Sequence, residues 1–136
     1  MKTYSFAYGS GDERELRTLA TNAVYERVRV ENHDCEAPDL VYLGTTPHGT
    51  PVSINRTAAE ADLVVCLGAV MHHVMAGFGG GRKSILPGIS GRETIFHNHA
   101  FSLDAAQLRS NPAIGNGVLK GNPLHEDIAL SINSCA

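Results

Sequence analysis

A chain of 136 residues accommodates one domain of ordinary size, and 43% hydrophobic with 18% charged residues is the balance of a globular protein with its own core. A formal charge of −3 and the lack of tryptophan argue against nonspecific nucleic-acid binding, which needs a basic face or stacking platforms. No apolar run is long enough to cross a membrane, and the N-terminal stretch is too short and polar for a signal peptide, so a cytoplasmic protein is expected.

In chain order, Tyr4–Tyr8 reads as a short strand running into a turn at Gly9-Ser10-Gly11. Asp12 sits where a helix cap belongs, before an amphipathic helix from Glu13 to Ala20. Val24–Val30 reads as a half-buried strand, broken at Asn32-His33-Asp34. Asp39–Gly44 and Thr50–Asn55 flank the turn-rich Thr45–Gly49, a hairpin pattern. Arg56–Asp62 is a helical turn, followed by the continuous apolar run Leu63–Val70, expected as a strand buried on both faces. Ser102–Leu108 and Leu124–Leu130 read as helices, with loop signals at Asn111-Pro112 and Gly115-Asn116-Gly117 between them. These elements predict a single α/β domain with a mixed or largely parallel sheet, helices on both faces, and a site at the C-terminal ends of the strands. Cys35, Cys66 and Cys135 fit no zinc or disulfide pattern and read as reduced thiols, Cys66 buried in the apolar strand.

Chemistry concentrates in the run from His72 to Gly88, which begins where the apolar run ends, and in His97-Asn98-His99 beyond it. Gly77-Phe78-Gly79-Gly80-Gly81-Arg82-Lys83-Ser84 approaches a P-loop, but Arg82 stands where that motif requires glycine before its lysine. A glycine loop carrying Arg82 and Lys83 can still hold a phosphate or carboxylate; alternatively the glycines serve backbone geometry alone. His73, His97 and His99 suit a metal such as nickel or zinc, although His97-x-His99 matches no common zinc spacing. From the residues alone the chain is an α/β domain with an anion or metal site after its apolar strand.

Over Asn32–Asp127 the chain resembles the nickel-dependent lactate racemase family. The resemblance is carried by Asn32-His33-Asp34, Leu43–Thr46, Gly49–Asn55, Glu60–Leu63, His73–Gly88, Glu93-Thr94-Ile95, Asn98-His99 and Gly121–Asp127. It implies a nickel pincer nucleotide, a pyridinium-derived mononucleotide that holds nickel through sulfur and carbon. By the same resemblance Lys83 bonds that cofactor as a thioamide and His99 completes the nickel coordination. His73 is one of two histidines exchanging the hydroxyl proton of a small 2-hydroxy acid while hydride moves to and from the adjacent carbon. Gly77, Gly79, Gly80, Gly81 and Arg82 would approach the nucleotide phosphate.

The chain departs from the family pattern in three places. Gly9-Ser10-Gly11-Asp12 stands where the second catalytic histidine belongs, an upstream Asp-Thr-Arg segment would precede Met1, and a C-terminal domain would follow Ala136. The sequence therefore predicts the cofactor-bearing part of a racemase site, in a homo-oligomer or beside a missing domain. A non-catalytic fragment or a stand-alone anion- or metal-binding module of the same fold is the alternative.

Overall fold

The structure, a computed structural model, describes residues 4–7 and 12–133. These fall into two compact units, Met1–Asp34 and Cys35–Ala136. The turn read at Gly9-Ser10-Gly11 and Cys135 lie outside the described residues.

In the first unit, strand β1 (Tyr4–Ala7) pairs in parallel with β2 (Arg29–Asn32). The crossover that parallel pairing demands is supplied by helix α1 (Glu13–Ala20) and the short α2 (Asn22–Tyr25). Asp12 caps α1 as its position predicted. Its carboxylate accepts from the Glu15 amide at 2.9 Å while the Glu15 side chain accepts from the Asp12 amide, a reciprocal capping box. The strand read over Val24–Val30 is displaced, because its first residues complete α2 and extended backbone begins only at Arg29.

The second unit opens with the expected hairpin, β3 (Val41–Thr45) antiparallel to β4 (Pro51–Ile54). Its turn suits the residues that make it. Pro47 follows Thr46, Gly49 takes a φ of +88°, and the Gly49 amide donates to the Thr46 carbonyl at 2.9 Å. Helix α3 (Arg56–Ala59) is capped by the Asn55 carboxamide. Beyond it come β5 (His72–His73), β6 (Gly77–Phe78), a 3-10 turn over Gly81–Ser84 and α4 (Arg92–Ala100). The unit closes with β7 (Leu103–Asp104), β8 (Arg109–Ser110) and α5 (Pro123–Asn133). Ala76, Leu86, Leu124 and Ile128 form the buried centre, with Met75, Ile95, Phe101 and Ile114 packed on it.

Three expectations are overturned. The described residues hold four two-stranded ladders, three antiparallel and only β1–β2 parallel, in place of a mixed or largely parallel sheet with helices on both faces. The reason is the run Leu63–Val70, which was to supply the buried strand. It joins no ladder, and Leu63, Val65, Leu67 and Val70 are 74%, 70%, 86% and 75% exposed. Cys66 is exposed with it. Ser102–Leu108 is not a helix either. The Asp104 carboxylate accepts from the Gln107 amide and Asn111 binds back to Phe101 and Ser102, closing a small β7–β8 hairpin instead.

Candidate functional site

Strands β5 and β6 pair His72 with Phe78 and His73 with Gly77, so Val74, Met75 and Ala76 form a tight connection. Gly77 is needed here for the chain's own sake. Its φ is +76°, and a Cβ on it would lie 2.3 Å from the Val118 carbonyl oxygen. Gly80 is constrained in the same way, with a φ of +77° and the Ala69 carbonyl oxygen 2.6 Å from any Cβ. The amides of Phe78, Gly79 and Lys83 donate to the carbonyls of Ala76, Met71 and Gly80. Much of the glycine loop is thus committed to folding itself. Around a Cβ built on Gly81 nothing lies within 4 Å, and at Gly79 the Met71 side chain is in ordinary contact.

Arg82 serves the same loop. Its guanidinium donates to the Ala76 carbonyl at 2.9 Å, while its Nε is buried with no partner among the described residues. The 3-10 turn then aims Lys83 back at β5. Lys83 Nζ lies 2.9 Å from Nε2 of His73. On its other side the His73 ring is held by two backbone amides, those of Met75 at 3.2 Å and Ala76 at 3.1 Å, both at Nδ1. An amide N–H can only donate, so Nδ1 carries no proton. Burial, reinforced by Lys83, His99 and Arg82 nearby, holds the His73 imidazole below its ordinary range. Burial, then the charge of Arg82, likewise lowers Lys83.

His99 lies on α4, half-buried, with Nδ1 2.8 Å from the Ile95 carbonyl. A carbonyl only accepts, so Nδ1 bears the proton and Nε2 keeps a lone pair suited to a metal. The structure thus brings His73 and Lys83 into contact, and puts His99 near enough to act on His73 electrostatically. The His72 ring lies tilted against Phe78, centroids 5.2 Å apart, and His97 is exposed. Among the described residues no three His, Cys, Asp or Glu side chains gather into a metal site. A depression lined by Asp12, Glu13, Arg14 and Arg17 lies in the first unit and includes none of these groups.

Two supporting residues, Asn122 and Asp127, were given no role in the sequence reading. Asn122, fully buried, accepts from the His125 amide to cap α5, and donates to the carbonyl of Met75, whose amide fixes His73. Asp127, also fully buried, accepts from Thr46 at 2.6 Å, Thr50 at 2.9 Å and Asn98 at 2.8 Å. It ties the β3–β4 turn to α5 and to the residue preceding His99. The signal for Asn122 was present in Asn122-Pro123, an N-cap residue followed by proline at the first helical position.

The model of the family described as "Lactate racemase N-terminal domain" matches residues 7–110. The chain belongs to the lactate racemase N-terminal domain family. It is 42% identical over 116 residues to a lactate racemase of Thermoanaerobacterium thermosaccharolyticum, covering 85% of this chain and 26% of that protein. With a lactate racemase of Lactiplantibacillus plantarum it shares 40% identity over 89 residues, 65% of this chain and 20% of the relative. The chain therefore spans about a quarter or less of the curated lactate racemases it matches. It superposes on the lactate racemase apoprotein of T. thermosaccharolyticum with a TM-score of 0.82 at 34% identity, covering 92% of this chain and 29% of that one. A Thermotoga maritima protein shares the fold at a TM-score of 0.68 and 20% identity, over 98% of this chain and 35% of that one. All of the His73–Lys83–His99 cluster falls inside the span that the lactate racemase family model covers.

Proposed function

We propose that this chain carries the cofactor-holding face of a racemase acting on a small 2-hydroxy acid of the lactate type. Lys83 forms the covalent attachment, His99 offers Nε2 to nickel, and His73 handles the substrate hydroxyl proton. Gly79, Gly81 and Arg82 border the nucleotide, whereas Gly77 and Gly80 contribute by letting the loop close on itself. When bound, the nickel pincer nucleotide supplies the acceptor and donor for the hydride at the substrate carbon.

The observation that carries this reading is the contact between Lys83 Nζ and His73 Nε2. An attachment point and a proton-transfer group must reach the same small substrate, and the 2.9 Å contact between these two supports that pairing. The free Nε2 of His99 fits a metal that needs one protein donor. With Nδ1 accepting two amides, a neutral His73 keeps its proton on Nε2, from which it can donate a hydrogen bond to a substrate oxygen. Taking a proton at Nε2 requires Nδ1 to release the amides of Met75 and Ala76. Held this way His73 orients the substrate hydroxyl by a hydrogen bond, proton transfer at its Nε2 follows release of those amides, and a partner on the other face of the substrate carbon would take the complementary step.

Protein made alongside the cofactor-synthesis enzymes should carry a mass adduct on Lys83 together with bound nickel. Lys83→Ala should abolish the adduct, and His99→Ala should lose nickel while keeping it. Absence of both adduct and nickel in the unsubstituted protein would overturn the reading.

A further inference from the structure

We infer that His73 holds Lys83 as an uncharged amine, a nucleophile ready for an acyl-type electrophile before any cofactor arrives. The argument is one of proton inventory. Nδ1 of His73 faces two backbone N–H groups and must present its lone pair to them. A neutral imidazole carries one proton, which then sits on Nε2. That Nε2–H points at Lys83 Nζ, 2.9 Å away. An ammonium would set N–H against N–H, whereas an amine offers the lone pair that the geometry demands. The surroundings agree. The other charged or titratable groups acting on the pair are Arg82, from the same turn, and His99, from α4, and neither compensates a positive charge on Lys83.

The consequence is large for a lysine. At its ordinary value of 10.5, a lysine is a free amine in only about one molecule in three thousand at pH 7. Freeing the lone pair from Nε2–H before attack costs about tenfold or less, the worth of one neutral hydrogen bond. The balance therefore favours reaction. In the step itself the Nζ lone pair forms a bond to the acyl carbon and the bond from that carbon to its leaving group breaks. The leaving group keeps the electron pair, and one Nζ proton passes to solvent. The resulting amide or thioamide nitrogen no longer accepts a hydrogen bond, so the Nε2 proton of His73 is released to face a substrate oxygen. One ring thereby prepares the attachment and then the catalysis. The identity of the natural electrophile, an activated carboxyl or thiocarboxyl carbon of the cofactor that carries a leaving group, rests on the function proposed above; the state of Lys83 does not.

The test uses cofactor-free protein and the N-hydroxysuccinimide ester of acetic acid, with site-resolved rates by mass spectrometry. Exposed Lys120 serves as an internal reference, and N-acetyl-lysine amide is followed alongside. Lys83 should show a rate profile displaced to lower pH than the free amide, with labelling about tenfold faster than Lys120 at neutral pH. His73→Asn supplies an amide oxygen for the N–H groups of Met75 and Ala76 but no Nε2–H. It should move the Lys83 profile back towards that of the free amide, short of it by what burial and Arg82 contribute, and leave Lys120 unchanged. Restricted access slows labelling without moving the profile, and the lowering by burial and Arg82 persists in His73→Asn, so the part of the displacement that the substitution removes decides. A Lys83 profile coincident with the free amide in the unsubstituted protein overturns the inference, as does one that His73→Asn leaves in place. A displaced profile in a protein that never acquires nickel or the adduct would sink the proposed function and leave this inference standing.

Discussion

The backbone amides of Met75 and Ala76 determine which proton His73 carries, and that choice has a cost that can be read as stability. An imidazole lowered in the folded chain takes up its proton less readily than the same ring in the unfolded chain, whose value is near 6.5. Between those two values the unfolded state binds more protons, so acidification favours unfolding. His125 acts in the same direction, lowered by burial and then by Arg82, with Nδ1 buried and without a partner among the described residues. The contribution is intact above about pH 6.5 and is lost as pH falls below it. Urea unfolding at about pH 7.5 and about pH 5.5 should show a larger loss in the unsubstituted protein than in His73→Asn, which has no imidazole to protonate there. Parallel losses would mean that the ring is not constrained by its neighbours. None of this was legible in the sequence. His73 is recognisable by its place in a family motif, but the amides that fix its tautomer belong to the residues that follow it and act only once the β5–β6 connection has closed.

Among the elements, those defined by near neighbours are where sequence and structure agree. Asp12 with Glu15, Thr46-Pro47 with Gly49, and Asn122 with Pro123 each place a cap or turn within a few residues, and α1, the β3–β4 hairpin and α5 follow. Elements defined by distant partners are where they diverge. Ser102–Leu108 has an acceptable helical pattern, but Asn111 supplies hydrogen bonds that a helix would not use. Asp127 is the clearest case of a long-range tie, since its three partners come from the β3–β4 turn and from α4. Removing it leaves two threonine hydroxyls without their acceptor and Asn98 with the Leu124 carbonyl as its remaining acceptor, while the Asn98 oxygen already lacks a partner among the described residues. Asp127→Ala should therefore cost about 3 kcal/mol or more in chemical denaturation. It should also loosen α4 at Asn98, so any nickel held by His99 would be lost at lower chelator concentration. A cost below about 1 kcal/mol would show that water replaces the carboxylate at no great penalty.

At the scale of the whole molecule, the departure from expectation is the ribbon Leu63–Val70. An unbroken apolar run is the composition of a strand covered on both faces, and composition alone cannot say which chain segment covers it. Among the described residues the run is anchored at its end, where the Gly79 amide donates to the carbonyl of the adjoining Met71 and a Cβ on Gly80 would strike Ala69. Its side chains otherwise face solvent, more apolar surface in one stretch than a folded monomer usually shows. Exposure and burial make opposite demands on substitution. Truncating a buried leucine or valine, or placing a charge there, costs about 2–5 kcal/mol, whereas exposed positions tolerate a change within about 0.5 kcal/mol. Val65→Lys and Leu67→Lys, singly and together, should thus leave the urea midpoint of this chain nearly unchanged, while lowering its binding of a hydrophobic dye such as anilinonaphthalene sulfonate. A loss of about 2 kcal/mol or more for either substitution would place the run back inside a core and restore the buried strand that the sequence suggested. The comparison also bears on the site, because the ribbon leads directly into His72 and His73. Because the ribbon is exposed, His73 is fixed among the described residues by the β5–β6 connection, Asn122 and Lys83, and both lysine substitutions should leave the acylation profile of Lys83 where it was.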